Sequence, residues 1–145
     1  MRQTRGDMHD PDQALIDEVM TRFLRAVSFD AGDRPAYDEL TTLFGPGARL
    51  IRAGTDAPEI SSLDEFVRTR QTVVDAGELI SFEETELAHT TELFGSIAHR
   101  FSSYAKRATT TLGAIDVRGA ISTQFIRTKA GWRITSMAWD DEREE

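Results

Sequence analysis

Ile121-Ser122-Thr123-Gln124-Phe125-Ile126-Arg127 and Trp132-Arg133-Ile134-Thr135-Ser136-Met137-Ala138-Trp139 are two runs rich in β-branched and aromatic residues. They are joined by Thr128-Lys129-Ala130-Gly131 and followed by Asp140-Asp141-Glu142. Such runs around a short glycine-containing turn read as a β-hairpin. The pattern extends upstream, with Leu79 to about Leu93 extended, Gly95 at a turn, and Ile97 to about Lys106 extended again. Four long strands in meander order predict an antiparallel sheet. Residues 108–117 have no clean period, so they are expected to form a long loop at the rim of the sheet.

Helices are predicted ahead of this sheet. Asp10-Pro11-Asp12-Gln13 combines an N-cap, a proline at the first helical position and a glutamine placed to complete a capping box. Leu15, Ile16, Val19, Met20, Phe23, Leu24 and Val27 then recur on one helical face. A shorter helix from about Pro35 uses Tyr37, Leu40, Leu43 and Phe44, and Gly45-Pro46-Gly47 should stop it. Short strands are expected over Ala48 to Arg52 and near Ile60. Ser62-Leu63-Asp64-Glu65 is a capping box that opens a helix with the face Leu63, Phe66, Val67, Arg70 and Val74. Helices first and a sheet after them predict an α+β fold with the helices on one face of the sheet.

Alternation places Ile97, His99, Phe101 and Ser103 on one side of their strand and Ala98, Arg100, Ser102 and Tyr104 on the other. The last strand opposes Trp132, Ile134, Ser136 and Ala138 to Arg133, Thr135, Met137 and Trp139. Neither side of either strand is simply polar, so both faces of the sheet are expected to be covered, one by helices and the other by a second subunit.

The 145 residues are enough for one domain with one core, because a chain of this size buries roughly two-thirds of its unfolded surface. A single domain is therefore expected over 1–145, with a flexible segment at 1–9 containing His9 and an acidic tail at 141–145. The formal net charge of −8 would repel a phosphate backbone, which argues against nucleic acid as a partner. No long apolar run or secretory h-region is present, so no membrane partner is expected and the cytoplasm is the default location. With no cysteine there are no disulfides or thiolate metal sites. The chain has no His-Glu-x-x-His, no glycine-rich nucleotide motif and no Gly-x-Ser-x-Gly elbow, so neither a metal nor a cofactor is expected.

Ile97-Ala98-His99-Arg100-Phe101-Ser102-Ser103-Tyr104, Gln124-Phe125-Ile126-Arg127, Gly131-Trp132-Arg133-Ile134 and Trp139-Asp140-Asp141-Glu142-Arg143, in that order, resemble SnoaL-like proteins of the nuclear transport factor 2-like superfamily. Phe44-Gly45-Pro46-Gly47-Ala48 is similar as well. The resemblance implies a cone-shaped α+β barrel, with a strongly curved sheet wrapped against the first helix around a pocket, and a homodimer packed through the sheet. It covers a superfamily of polyketide cyclases, isomerases, dehydratases, epoxide hydrolases and noncatalytic modules, so function has to be argued from the site.

His99 is the first candidate proton carrier, because imidazole exchanges protons near neutral pH; the alternative is a hydrogen-bonded core histidine. His89, near a strand end, is expected at the surface. Tyr104 could hydrogen-bond a ligand carbonyl. Arg100 could hold an anion, or pair with Glu83, Glu84 or Glu86 on the preceding strand. Glu84 and Glu86 share a face, which makes a carboxylate dyad a weaker alternative. Phe101, Gln124, Trp139 and Tyr37 complete the candidate ligand contacts, while core or dimer packing explains Trp132, Trp139 and Phe101 equally well. The expected ligand is a small, largely apolar organic molecule. Acid–base chemistry on that ligand (isomerisation, cyclisation or dehydration) and noncatalytic binding or association are the two functional readings.

Overall fold

The computed structural model describes residues 10–54 and 56–143. The expectations for His9, for residues 1–9 and for Glu144 and Glu145 lie outside them. Helix α1 (Pro11–Val27) opens on Asp10, whose side chain accepts the Asp12 N–H at 2.8 Å. The capping box expected of Gln13 does not form. Asp17, one turn on, competes for its amide, and Gln13 Nε2 donates to Asp17 Oδ1 at 3.1 Å. Ile16, Val19, Met20, Phe23, Ala26 and Val27 form the buried stripe.

Tyr37–Thr42 is a single stretch of 3₁₀ helix. Gly45-Pro46-Gly47 does more than stop it, because the chain passes directly into β1 (Phe44–Arg52). Pro46 has no N–H to donate and Gly47 has φ +74°, which is why the pairing of β1 shifts register between Phe44 and Arg49. After β2 (Glu59–Ser61), the Ser62 hydroxyl accepts the Glu65 N–H at 3.1 Å and the Glu65 carboxylate accepts the Ser62 N–H at 2.9 Å. This capping box starts α2 (Leu63–Asp75) as the spacing requires.

The meander β3 (Leu79–Phe94), β4 (Ile97–Thr110), β5 (Gly113–Thr128) and β6 (Gly131–Asp141) follows. The six strands lie in the order β2-β1-β6-β5-β4-β3, and all pairs are antiparallel except β1 with β6. Helices pack on one face of this strongly curved, open sheet. The long loop expected over residues 108–117 is absent. Pairing continues out to Thr110 opposite Gly113, and Thr111-Leu112 alone make the turn. The threonine-rich run hid strand ends that extend beyond the core and so show no buried alternation.

Bulges within the meander change the strand faces. Thr135 is the extra residue where Gln124 pairs with Ser136 and Phe125 with Ile134. One inserted residue reverses the phase of everything after it. Trp132 and Ile134 before the bulge and Met137 and Trp139 after it therefore all face the helices, which corrects the expected opposition of Trp132 to Trp139. Leu87 plays the same part in β3, between Glu86 opposite Tyr104 and Ala88 opposite Ser103. The face away from the helices exposes Phe101 and Ile97, each 60% accessible, together with Phe94 and Ile126.

Candidate functional site

Register brings Glu86, Tyr104, Gly119 and Asp141 into one row across β3, β4, β5 and β6. Gly119 has no side chain, so the Tyr104 ring lies across β5 and its hydroxyl donates a short hydrogen bond to Asp141 Oδ1 on the strand beyond. A Cβ at position 119 would collide with the Tyr104 hydroxyl and ring and with the Asp140 carbonyl. Asp141 thus ends β6 as a fixed group and does not begin a tail. Lys106, two residues along β4 from Tyr104, closes the arrangement with Nζ 2.9 Å from Asp141 Oδ1 and 5.6 Å from the Tyr104 ring centre.

Burial, then the hydrogen bond to Asp141 and the charge of that carboxylate, raise the pKa of Tyr104 and keep the phenol protonated. Burial alone would raise the Asp141 pKa, but the hydrogen bonds from Tyr104 and Lys106 and the Lys106 charge together lower it.

The next row contains Glu84, opposite Lys106. Its carboxyl is half-buried and makes no hydrogen bond or ion pair among the described residues. Burial raises its pKa; Lys106 and then Arg70 oppose that, and Asp141 adds to it. Arg70 comes from α2, with its guanidinium carbon 5.0 Å from the Phe66 ring centre and 5.1 Å from that of Phe82. Tyr37 lies near Arg70. Burial raises its pKa and the Arg70 charge opposes this, and the buried hydroxyl meets no hydrogen-bond partner among the described residues.

Arg70 and Lys106 border three adjoining spaces. The largest is a cleft of about 890 Å³ between the end of α2 and strands β3 to β5, with Val73, Leu79, Phe82, Ala108, Ile115 and Val117 as its apolar wall. The second is an inner cavity of about 20 Å³ against Glu84, bounded by Phe23, Phe66, Met137 and Trp139. The third, about 300 Å³, lies toward β1 and β2 beside Leu50, Arg52 and Trp139. A ligand-sized cleft with an apolar wall and a few converging polar groups is the usual form of a small-molecule site.

The candidates named from sequence divide between the two faces. β4 has no bulge after Ile97, so His99 and Tyr104 are on opposite sides. His99 faces away from the helices, its side chain 57% exposed, with Nε2 2.7 Å from Glu92 Oε1. It is not in the cavity expected for it and cannot act with Tyr104 on one ligand. Phe101 and Gln124 share the His99 face, and Gln124 borders a shallow groove of about 390 Å³ with His99, Phe94, Ile97 and Ile126. His89 is exposed, as expected.

Arg100 is on the helix side but is engaged through all three guanidinium nitrogens. It donates to both Glu86 carboxylate oxygens at 3.0 and 2.6 Å, to Asp17 at 2.5 Å and to Thr91 at 3.3 Å. Ser102 adds a bond to Glu86 at 2.6 Å. The alternative in which Arg100 pairs with a glutamate of the preceding strand is the one formed. Trp139 lines the inner cavity, edge-on to Phe66 at 6.1 Å, whereas Trp132 ties α1 to the sheet through Asp12 at 2.9 Å.

Arg70, Lys106, Glu84 and Asp141 were not singled out together by the sequence. Arg70 left one signal, a charge on the otherwise apolar face of α2.

No protein-family model matches the chain, and no curated protein does. Solved structures do match. A nuclear transport factor 2-like superfamily protein from Salmonella enterica serovar Typhimurium superposes with a TM-score of 0.73 at 15% identity, over 92% of each chain. The chain has the nuclear transport factor 2-like fold. A candidate scytalone dehydratase from Novosphingobium aromaticivorans is also similar, with TM-score 0.72 and 10% identity over 91% of this chain and 85% of that one. So is a candidate Ca/calmodulin-dependent kinase II association domain from Exiguobacterium sibiricum, with TM-score 0.73 and 8% identity over 97% and 100%. An enzyme-like and an assembly-like protein thus share the nuclear transport factor 2-like fold with this chain, and the likeness carries architecture without activity. No described helix is long and apolar enough to cross a membrane, and no group of three potential metal-binding side chains occurs among the described residues.

Proposed function

We propose that the chain binds a small, largely apolar organic molecule in the cleft beneath α2 and performs acid–base chemistry on it with its own side chains. The observation that carries this reading is the Glu84 carboxyl. It is half-buried at the inner cavity that adjoins the cleft, has no hydrogen-bond partner among the described residues, and is held by burial toward a higher pKa beside Lys106 and Arg70. A carboxyl in such surroundings suits proton transfer near neutral pH. Arg70 and Lys106 are placed to stabilise negative charge developing on a substrate oxygen, which isomerisation, cyclisation and dehydration all require. Tyr104 is a positioning residue in this scheme. Its hydroxyl is committed to Asp141, which in turn holds Lys106.

The test is a mass-spectrometric screen of hydroxylated and ketonic aromatic substrates with the wild-type chain and Glu84→Gln. Conversion by the wild type that falls at least ~100-fold in the variant, with binding retained, is expected for a lost proton carrier. Conversion unchanged in the variant removes Glu84 from the mechanism.

A second reading, a noncatalytic binding or association module, is favoured by the inner cavity of only about 20 Å³, which protein side chains nearly fill. Binding in the same screen with no conversion of any compound selects it. Both readings include a homodimer through the outer sheet face, supported by exposed Phe101, Ile97, Phe94 and Ile126. Both also place the chain in the cytoplasm, with which its lack of cysteine agrees.

A further inference from the structure

The three cations around the cleft are not alike. Lys106 is paired with Asp141 at 2.9 Å and Arg52 with Glu59 at 3.2 Å, so each already has its acid. Among the described residues, no hydrogen bond or ion pair joins Arg70 to any acid. Arg70 is nevertheless held in place, its guanidinium set over the rings of Phe66 and Phe82 at 5.0 and 5.1 Å. Contact with ring faces uses the surface of the planar group and leaves its in-plane N–H donors for a forked acceptor. The buried Tyr37 hydroxyl near it, 3% exposed, also has no hydrogen-bond partner among the described residues. An oriented guanidinium without an acid thus borders a cleft whose apolar wall is built by Val73, Leu79, Phe82, Ala108, Ile115 and Val117.

We propose that Arg70 is an anion receptor and that the cleft takes an amphipathic carboxylate, with its apolar body against Leu79, Phe82, Ile115 and Val117 and its carboxylate forked onto Arg70. The inference rests on the cleft reading above and adds the charge class of the ligand. Three acids bear on it: Glu84 shares the inner cavity with Arg70, and its burial favours the protonated, uncharged form. Asp141 is neutralised by Lys106, and Glu78 lies beside the Thr111-Leu112 turn, its carbonyl accepting the Thr111 N–H at 3.1 Å. A planar carboxylate matches the guanidinium fork in a way that a neutral amide cannot.

The experiment compares 2-naphthoate with 2-naphthamide, a pair of nearly equal shape, by titration calorimetry on the full chain. A charge-assisted pair predicts that the carboxylate binds roughly 10- to 100-fold more tightly than the amide. In Arg70→Gln this preference should vanish, the carboxylate losing far more affinity than the amide. Arg70→Lys, which keeps the charge and loses the fork, should retain part of it; thermal melting of both variants verifies that they are folded. Equal binding of carboxylate and amide to the wild type, or equal loss of both in Arg70→Gln, overturns the anion receptor and leaves the cleft reading standing. Binding of neither compound removes the cleft reading and this inference with it.

Discussion

Gly119→Ala tests the geometry on which the candidate site depends. Gly119 has no left-handed φ, so alanine suits its backbone and only the space is wrong. The added Cβ meets the Tyr104 hydroxyl and ring from one side and the Asp140 main-chain carbonyl from the other, and the carbonyl cannot move without parting β5 from β6. The ring must therefore yield. Overpacking of this kind costs about 1–3 kcal/mol, and the loss of a hydrogen bond to a charged group costs about 1.5–3 kcal/mol. The two overlap, since moving the ring is what breaks the bond to Asp141, and we expect a net loss of about 3 kcal/mol.

Urea denaturation followed by tryptophan fluorescence measures the effect. With a slope of about 2 kcal/mol/M for a chain of this size, the midpoint should fall by about 1.5 M. Gly45→Ala is the control, because a Cβ there meets Arg133 Cβ at 3.6 Å and the Ile134 carbonyl at 3.8 Å, which is ordinary contact. It should stay within about 0.5 kcal/mol of the wild type. If Gly119→Ala were as harmless as Gly45→Ala, the placement of Tyr104 across β5 would be wrong, and so would the account of how Asp141 and Lys106 are held.

Glu84 holds its proton to higher pH folded than unfolded, so between those two pKa values the native state binds more protons and stability falls as pH rises. Glu84→Gln should accordingly gain stability relative to the wild type as pH rises above the ordinary carboxylate range, and melting curves showing a constant difference would contradict the burial. Asp141 and Glu86 have lowered values and act in the opposite sense, their contribution being lost as pH falls through the folded pKa. Arg100→Met should cost about 3–5 kcal/mol in urea denaturation by stranding the Glu86 carboxylate, and the double variant with Glu86→Met should recover much of it; equal losses in both would refute the ion-pair account. Phe101→Asp should convert a dimer to monomer in sedimentation velocity with the melting temperature of the monomer unchanged, whereas an unaltered dimer would exclude the outer sheet face as the interface.

What was legible in the sequence depended on local signals. Asp10 and Pro11 at the start of α1, the Ser62–Glu65 capping box and the glycines between strands all act within a few residues, and each element they mark is present. The candidate site was less legible because it depends on phase and register. An extra residue at Thr135 or Leu87 leaves no mark in composition, yet the Thr135 bulge moves Trp139 to the same face as Trp132. Asp141 looked like part of a solvated acidic end because its partners, Tyr104 and Lys106, are more than thirty residues away. His99 drew attention by its residue type, and only its face decided against it. Arg70 and Glu84 come together through the packing of α2 on the sheet, which no spacing within either segment encodes.

The parallel pairing of β1 with β6 also bears on the order of assembly. It joins Phe44 to Ile134 and Arg52 to Trp139, partners about 90 residues apart, while β3 to β6 connect through successive tight turns. Contacts across long sequence separations form slowly, because chain entropy is lost before they contribute. The meander should therefore assemble as a four-stranded nucleus, with β1 and β2 docking afterwards along the exposed edge of β6. Arg52 and Trp139 meet only at that step, so their side of the interior is enclosed late in folding. In native-state hydrogen exchange, the amides of β1 and β2 should then open at lower free energy than those of β4 and β5.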